Sequence, residues 1–317
     1  MSHQIESMAY FGDTPWHSLG VKLDHPATAE EAIISSGLDW QVRKEPLFLA
    51  AYAGSMAVGQ IIEDHYATIR STDRAVLGVV GDRYQPLQNR EAFGFFDYVV
   101  GQGAAVYHTA GSLSGGRRIW LLAKLPETIK VRGNDIVDQY LLLSNGHDGS
   151  TAVQIKLTPI RVVCNNTLSL ALRDGHKVYS VRHTASVAEK IREVADLMGL
   201  ARQAFAGTAE AYRRLAEIKV DARLLSEFFG ILIPDNPDAE RTSRTQNTRD
   251  RLIDLFENDW RNNLPETRHT LWSAYNAITH FVDHVRGSDD KRLQSAWFGS
   301  GAQLKDLAFT EALKLAA

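Results

Sequence analysis

The chain has 317 residues, of which 44% are hydrophobic and 23% are charged, and its formal net charge is -3. These values are ordinary for a globular protein, and the length is enough to bury one large core or two modest ones. The total charge gives no reason to expect a nucleic-acid partner. Its distribution does, because residues 101–183 hold ten Lys or Arg against five Asp or Glu, and the segments on either side are acidic overall. A local positive face can attract polyanions despite a negative total.

Cysteine content and hydropathy predict the compartment. Cys164 is the single cysteine, so the chain can form no internal disulfide and suits a reducing cytoplasm. Residues 1–6 are polar and lack the apolar core of a signal peptide. No apolar run approaches the ~20 residues that a membrane-spanning helix needs. We therefore expect a cytoplasmic protein without a membrane anchor.

The first part of the chain predicts one short helix followed by antiparallel strands. Thr28–Glu31 forms a capping-box pattern that opens a helix ending at Gly37. A strand pattern follows over residues 40–51, where Pro46 indicates a sheet edge or a bulge. The next two strands are predicted as a hairpin over residues 66–70 and 76–80.

The middle of the chain predicts a dense β region framed by two helices. Asn89 is expected to cap a helix that runs to Val100, because the apolar residues between them recur at helical spacing. Asn145–Gly149 has the chemistry of a turn, since Asn-Gly favours positive φ. Pro159 is expected to end the last long strand, and a helix over residues 165–173 is expected after it. The predicted strands are residues 104–109, 117–125, 139–144, 151–157 and 177–183.

From Ser186 onward the apolar residues recur with a helical period of 3.6. The change of pattern predicts an α+β fold: a mixed, mainly antiparallel sheet domain with a few helices, followed by a helical region. The predicted domains are residues 1–184, which contain the basic block, and residues 185–317. The predicted helices are residues 187–198, 201–218, 222–229, 243–260, 270–285 and 302–315.

Five motifs stand in the same order as in a known family. They are PWHSLG at 15–20, RYQPLQN at 83–89, AGSLSGGRRIW at 110–120, RVVCNNTL at 161–168 and YNAITH at 275–280. On these motifs the chain resembles, over almost its whole length, the phage/plasmid-like proteins built on domain of unknown function 932. The resemblance implies a protein carried by phages, plasmids or integrated elements, but it implies no activity. The layout is also similar, at fold level, to Rad52-type single-strand annealing proteins.

The segment from Gly111 to Arg118 is the first candidate site. Its glycines allow close approach of the backbone to a ligand, and successive amides can form an anion-binding concavity. We predict that Gly115, Gly116 and Arg117 contact phosphate, since an arginine fork suits that group. The alternative is a glycine-rich hairpin with one arginine on each face of the sheet. In a strand, Trp120 shares a face with Arg118. If Trp120 packs in the core, Arg117 points outward and is the binding residue, which is the favoured interpretation; if Trp120 is a stacking platform, Arg118 beside it is the phosphate contact.

The segment from Arg161 to Leu168 is the second candidate site. If Asn165 or Asn166 caps a helix, the free amides and the positive dipole end there can hold a phosphate. Arg161 and Lys156 are then the neighbouring cations. The alternative is plain helix capping without a ligand.

Three further features have competing interpretations. Trp16 lies in a proline-bounded segment, where it can stack on a nucleic-acid base or close the core from outside. Cys164 is interpreted as a buried structural cysteine, although a nearby histidine would make it a nucleophile. His280 and His284 are four residues apart on a helix and could share a metal, but no third ligand is evident, and paired histidines are the favoured interpretation.

The sequence thus predicts a mobile-element protein that binds nucleic acid, with single-stranded DNA favoured, as a homo-oligomer in recombination or replication. No catalytic residue, cofactor or metal is predicted, and the balance favours a protein that is not an enzyme. Two alternatives stay open. One is an enzyme acting on a nucleotide or nucleic-acid phosphate, and the other is an interaction protein that modulates host defence.

Overall fold

A computed structural model describes residues 5–12, 19–25, 27–53, 56–94, 106–163, 166–167, 169, 179–184, 186, 198–235 and 243–317. The strands are β1 (Ile5–Phe11), β2 (Val21–Leu23), β3 (Val42–Ala53), β4 (Met56–Arg70), β5 (Val76–Gly81), β6 (Val106–Leu113), β7 (Arg118–Arg132), β8 (Asp135–Gly146), β9 (Val153–Arg161), β10 (Asn166–Thr167) and β11 (Tyr179–Val181). The helices are α1 (Ala29–Ser35), α2 (Met198–Glu217), α3 (Ala222–Leu232), α4 (Ser243–Glu257), α5 (Leu271–His280), α6 (Asp289–Phe298) and α7 (Ser300–Leu315), with a short helical segment at residues 89–94.

The strands form two sheets, and the helices from α2 onward follow them in the chain. The larger sheet has the order β10-β9-β8-β7-β6-β1-β2, and β11 pairs with β9 beside β10. Its pairs are antiparallel except β1 with β2, which is parallel. The smaller sheet is β3-β4-β5. The predicted α+β class, with a mainly antiparallel sheet before a helical region, is confirmed.

Local sequence signals determine the first elements. Thr28 Oγ1 accepts the Glu31 N–H, and the Glu31 carboxylate accepts the Thr28 N–H, which is the predicted capping box at the start of α1. β3 is an edge strand, and its register with β4 shifts between Pro46 and Leu47. The predicted bulge at Pro46 is therefore present, and it lies where the missing N–H of proline is tolerated.

The expectation that Pro159 ends its strand is wrong. β9 continues through Pro159 to Arg161, with Pro159 opposite Gln139 of β8. On its other side β9 pairs with β11 over residues 153–155 and with β10 at residues 160 and 161. Pro159 lies between these two paired stretches, so its lack of an N–H interrupts neither ladder.

Two asparagines take roles other than the predicted helix caps. Asn166 opens β10 opposite Arg161, so the segment pairs with the sheet where a helix start was expected. Asn89 lies inside the helical segment, and the Gln88 N–H donates to the Glu91 carboxylate at 2.8 Å. The buried Asn89 side chain instead donates to the Leu38 carbonyl at 2.9 Å.

The helical region adds two features that the sequence reasoning did not predict. Residues 289–298 form α6, although no helix was predicted there. The predicted helix 270–285 divides into α5 and a π-helical turn over Phe281–Val285. A π turn displaces the following side chains around the helix axis, and such turns are frequent at functional sites. No helix among the described residues combines the length and apolarity needed to cross a membrane.

Side chains alternate between the two faces of the larger sheet, as strand geometry requires. One face carries Trp120 and packs under α6, whose Trp297 meets the Trp120 ring edge-on at 6.3 Å between centroids. The opposite face carries Ile119 and packs against α1 and residues of the smaller sheet. A third cluster joins the helices to the far ends of β7 and β8 through Ile129 and Val137. The helical region therefore packs on the sheet in two places, and the predicted division near residue 184 stays a prediction.

Candidate functional site

The turn between β6 and β7 has the backbone shape that its glycines predict. Ser114, Gly115 and Gly116 have left-handed conformations, with φ angles of 55°, 69° and 81°. A Cβ on Gly115 would stand in open space, whereas a Cβ on Gly116 would lie 2.9 Å from Arg70 Nη1. Arg70 is held in turn by an ion pair with Glu6 at 2.8 Å. The turn is thus closely packed at Gly116 and open at Gly115.

The two arginines after this turn have different environments. Arg117 is exposed. Arg118 is partly buried, and its guanidinium lies over the Phe298 ring, 4.7 Å from the ring centroid. Trp120, on the same face as Arg118, is 1% exposed and belongs to the core. The alternation predicted from the sequence therefore holds: Arg118 and Trp120 face inward, and Arg117 faces solvent.

A cavity of about 210 Å³ adjoins Phe298. We call it the Lys156 pocket, because the Lys156 ammonium lies 5.2 Å from the centroid of the same ring and donates to the Trp297 carbonyl at 2.5 Å. Arg118 Cζ and Lys156 Nζ both lie close to the centroid of the Phe298 ring, so these two atoms are within about 10 Å of each other. The pocket wall is formed by β9, residues 167 and 169, the last turn of α6 and the first two turns of α7.

Lys156 is a cation that forms no ion pair with any carboxylate of the described residues. Burial, and secondarily the positive charge of Lys305, lowers the pKa of Lys156 to about 8, although Asp306 and Asp283 act in the opposite sense. Among the described residues, none of these carboxylates is within ion-pair distance of Lys156 Nζ. A pKa of about 8 leaves most of the lysine protonated at neutral pH. A partly buried charge of this kind favours an anionic partner.

Lys305, by contrast, is fully engaged at the base of the pocket. It is 3% exposed, and its Nζ lies 2.6 Å from Asp283 Oδ1 in an ion pair and also donates to the Thr167 hydroxyl. The Thr167 N–H and hydroxyl both donate to Asp283 Oδ2, at 2.6 and 2.9 Å. This network joins β10 to the π turn and to α7, so the floor of the pocket is rigid.

Ser169 extends the network along the pocket wall. Its hydroxyl donates to Asp306 Oδ1 at 2.6 Å, and its N–H donates to the Tyr275 hydroxyl at 2.7 Å. Its carbonyl accepts the Tyr212 hydroxyl at 2.6 Å. Each polar group of Ser169 is therefore bonded to a helix, which fixes the position of this wall.

Arg161, predicted as a phosphate contact, is completely buried. Its Nε and Nη2 bond both carboxylate oxygens of Asp135, at 2.7 and 2.5 Å, and its Nη1 donates to Asn262 Oδ1 at 3.2 Å. Thr267 and Trp272 donate to the same Asp135 carboxylate. This bidentate pair fastens the end of β9 to the helical region and presents no guanidinium edge to solvent.

Asn166, the second residue predicted beside a phosphate, is also buried and bonded within the protein. Its Nδ2 donates to Thr279 Oγ1 at 3.0 Å, and its Oδ1 accepts the His284 Nε2–H at 3.0 Å. The His284 and His280 rings lie 4.6 Å apart, and burial followed by the His284 charge lowers the pKa of His280 to about 3. The paired histidines thus contact β10, and no group of three potential metal ligands occurs among the described residues.

The remaining predictions concern three single residues and the basic block of residues 101–183. Trp16, Asn165 and Cys164 lie outside the described residues. The basic block does not form one face: Lys124 pairs with Asp138 at 2.6 Å, and Lys130 and Arg132 stand at the far end of β7 from Arg118, roughly 40 Å along an extended strand. The cations that meet at one place are Arg118, Lys156 and Lys305. Arg117 is next to Arg118 in the chain but faces solvent.

Sequence reasoning missed Lys305 and Phe298. The buried residues of α7 are Gly301, Lys305, Ala308, Phe309 and Ala312, so the lysine falls on the apolar stripe of the helix. A lysine at that spacing is a signal of a buried, paired charge. Phe298 lies in the helix that was not predicted, and no sequence pattern connects it to β7 or β9.

One comparison with known proteins gives a match. The family model described as domain of unknown function (DUF932) matches residues 76–297, which include β5 to β11 and most of the helical region. The match spans the two arginines and Lys156, and it ends at Trp297, before Phe298, α7 and Lys305. No curated protein and no solved structure matches the chain.

Proposed function

This chain belongs to the family built on that domain of unknown function, and we propose that it binds nucleic acid, with single-stranded DNA as its ligand. The observation that carries the proposal is the convergence of Arg118 and Lys156 on the Phe298 ring, and Arg117, the residue before Arg118, adds an exposed cation. Cations grouped in this way supply contacts to a phosphate backbone, which dominate affinity for nucleic acids.

The proposal concerns contacts to phosphates and not to base edges. Arg117 supplies a mobile, exposed guanidinium, whereas Arg118 and Lys156 are positioned by Phe298 and the Trp297 carbonyl. A pre-positioned cation loses little conformational freedom when it binds a phosphate. The site thus favours any strand whose phosphates can reach the ring, which is easiest for a flexible single strand.

The biological setting belongs to the same proposal. We propose a protein of a phage, plasmid or integrated element that acts in the cytoplasm during recombination or replication as a homo-oligomer. Support for the setting comes from the resemblance of the motifs at residues 110–120 and 161–168, and from the placement of these two motifs. One ends in the arginines, and the other connects β9 with the floor of the Lys156 pocket.

The test is fluorescence anisotropy at low salt with single-stranded DNA, duplex DNA and RNA of one length. We expect the single strand to bind most tightly, and Arg117→Ala to weaken its binding. Arg223→Ala is the matched control, because Arg223 is an exposed arginine on α3, outside the basic block. Absence of binding to all three ligands, or equal weakening by both substitutions, contradicts the proposal.

A further inference from the structure

The Lys156 pocket has features that nucleic-acid binding along a surface does not require. It is a cavity and not a groove of exposed side chains, and its floor is the bonded network of Lys305, Asp283 and Thr167. We propose that this pocket is a binding site for a phosphate monoester, such as the phosphorylated end of a nucleic-acid strand. The inference deepens the proposed function and rests on it for the strand end as ligand.

The size of the cavity argues for a small group. Its volume of about 210 Å³ is below the ~300–1,000 Å³ of pockets that enclose drug-sized ligands. A space of this size suits a small terminal group, such as a phosphate with part of its sugar, better than a whole nucleotide with its base. A ligand must therefore enter with a terminal group, and the rest of it stays outside beside Phe298.

The charges of the wall argue for an anion. Two lysines, Lys156 and Lys305, line the pocket against one lining carboxylate, Asp306, and Arg118 stands next to it. Asp283 neutralises Lys305, so Lys156 is the cation that still needs a counter-ion. An ammonium in such a position binds phosphate with a charge-assisted hydrogen bond.

The backbone provides a second, independent source of positive potential. α7 begins at the pocket, with Gly299 as its N-cap, and Gly299 and Ala302 line the cavity. Gly299 has no side chain to cap this N-terminus, and the Ser295 hydroxyl accepts only the Gly301 N–H, at 3.2 Å, so among the described residues the N–H of Ala302, which lines the pocket, has no side-chain acceptor. The aligned peptide dipoles of this 16-residue helix place positive potential at that end.

These features discriminate between kinds of phosphate. A monoester carries a charge of about -1.5 to -2 near neutral pH, whereas a backbone diester carries one negative charge. The monoester also presents three terminal oxygens, which suit donors that converge from Lys156 and from the α7 N-terminus. The pocket therefore favours a phosphorylated end over the interior of a strand.

The experiment compares ligands that differ by one phosphate. Anisotropy is measured with one oligonucleotide carrying either a 5′-phosphate, a 3′-phosphate or hydroxyl ends. Thermal melting is measured with a deoxynucleoside monophosphate, its nucleoside and inorganic phosphate. We expect one phosphorylated end to bind about tenfold tighter than the hydroxyl form, and the monophosphate but not the nucleoside to raise the melting temperature.

Two variants assign the effect to the pocket. Lys156→Met should remove the preference for the phosphorylated end, and Lys124→Met, a half-exposed lysine of β7 outside the pocket, should keep it. If Lys156→Met does not fold, Ala302→Glu tests the same site by adding a carboxylate to the wall. A preference that survives in the folded pocket variant overturns the assignment.

The outcomes separate this inference from the proposed function. Equal, Arg117-dependent binding of phosphorylated and hydroxyl strands overturns the pocket inference and leaves nucleic-acid binding intact. A Lys156-dependent response to the monophosphate, without binding of any oligonucleotide, supports the pocket as a small-molecule site and overturns the proposed function. No response to any phosphate overturns both.

Discussion

Replacement of Arg161 by methionine distinguishes a structural from a binding role for this residue. The substitution removes both hydrogen bonds to Asp135 and leaves that carboxylate buried with Thr267 and Trp272 as donors. Removing one partner of a buried ion pair costs about 3–5 kcal/mol. This is a large share of the ~5–15 kcal/mol that stabilises a typical domain. We therefore expect a much lower urea midpoint for Arg161→Met.

A double-mutant cycle with Asp135→Asn tests the magnitude. Because the double variant contains no buried unpaired charge, its loss of stability should be smaller than the sum of the two single losses by several kcal/mol. Folded Arg161→Met should bind oligonucleotides as the unmodified protein does. Unchanged stability combined with lost binding would refute the reasoning and return Arg161 to the phosphate site.

Three other substitutions or conditions have definite expected results. Arg118→Ala should lower the melting temperature through loss of the contact with the aromatic ring, whereas Arg117→Ala should leave it unchanged, and the opposite order would contradict the assigned orientations. Burial lowers the pKa of His147 to about 3. Below pH ~6.5 this imidazole is therefore protonated in the unfolded state but stays neutral in the folded state. Stability should fall with pH below that value, by about 2 kcal/mol at pH 5 for this residue, and denaturation of His147→Gln should show a shallower acid limb. Gly78→Ala would put a Cβ 2.4 Å from the Asp148 backbone, so calorimetry should show a loss of about 1–3 kcal/mol, and an unchanged melting temperature would contradict this packing.

Elements whose signals are local could be predicted from the sequence. The capping box at Thr28 acts within three residues, and the hairpin of β4 and β5 is determined by alternation around a short turn. The outward orientation of Arg117 follows from the two-residue period of β7, once Trp120 is assigned to the core. In each case the physical cause lies inside the element itself.

Long-range partners could not be predicted. Arg161 is a charged residue on a strand, and nothing local indicates that Asp135 and Trp272 will enclose it. Proline usually ends a strand, but Pro159 falls between the stretch of β9 that pairs with β11 and the stretch that pairs with β10. This gap is visible only once the positions of β10 and β11 are known. Asn166 carries the preference of a cap, and tertiary hydrogen bonds override it.

The candidate site combines both kinds of residue. The glycine turn and Arg117 have a sequence signal, whereas Phe298 and Lys305 are about 140–190 residues away in the chain and are brought to Lys156 by helix packing. The sequence of α6 does contain a weak helical signal, because the apolar residues Leu293 and Trp297 are four residues apart and both contact the sheet. An amphipathic pair of this kind indicates a helix.

The salt dependence of single-stranded DNA binding tests the central claim most directly. Arg118 and Lys156 meet at Phe298, and the exposed Arg117 precedes Arg118 in the chain, which gives three cations in all. Each phosphate neutralised on a single strand contributes about -0.7 to the slope of log affinity against log salt, so the cluster predicts a slope of about -2 per chain. Arg117→Ala should reduce the magnitude of the slope by about 0.7. Binding that is insensitive to salt, or no binding at low salt, would contradict the account.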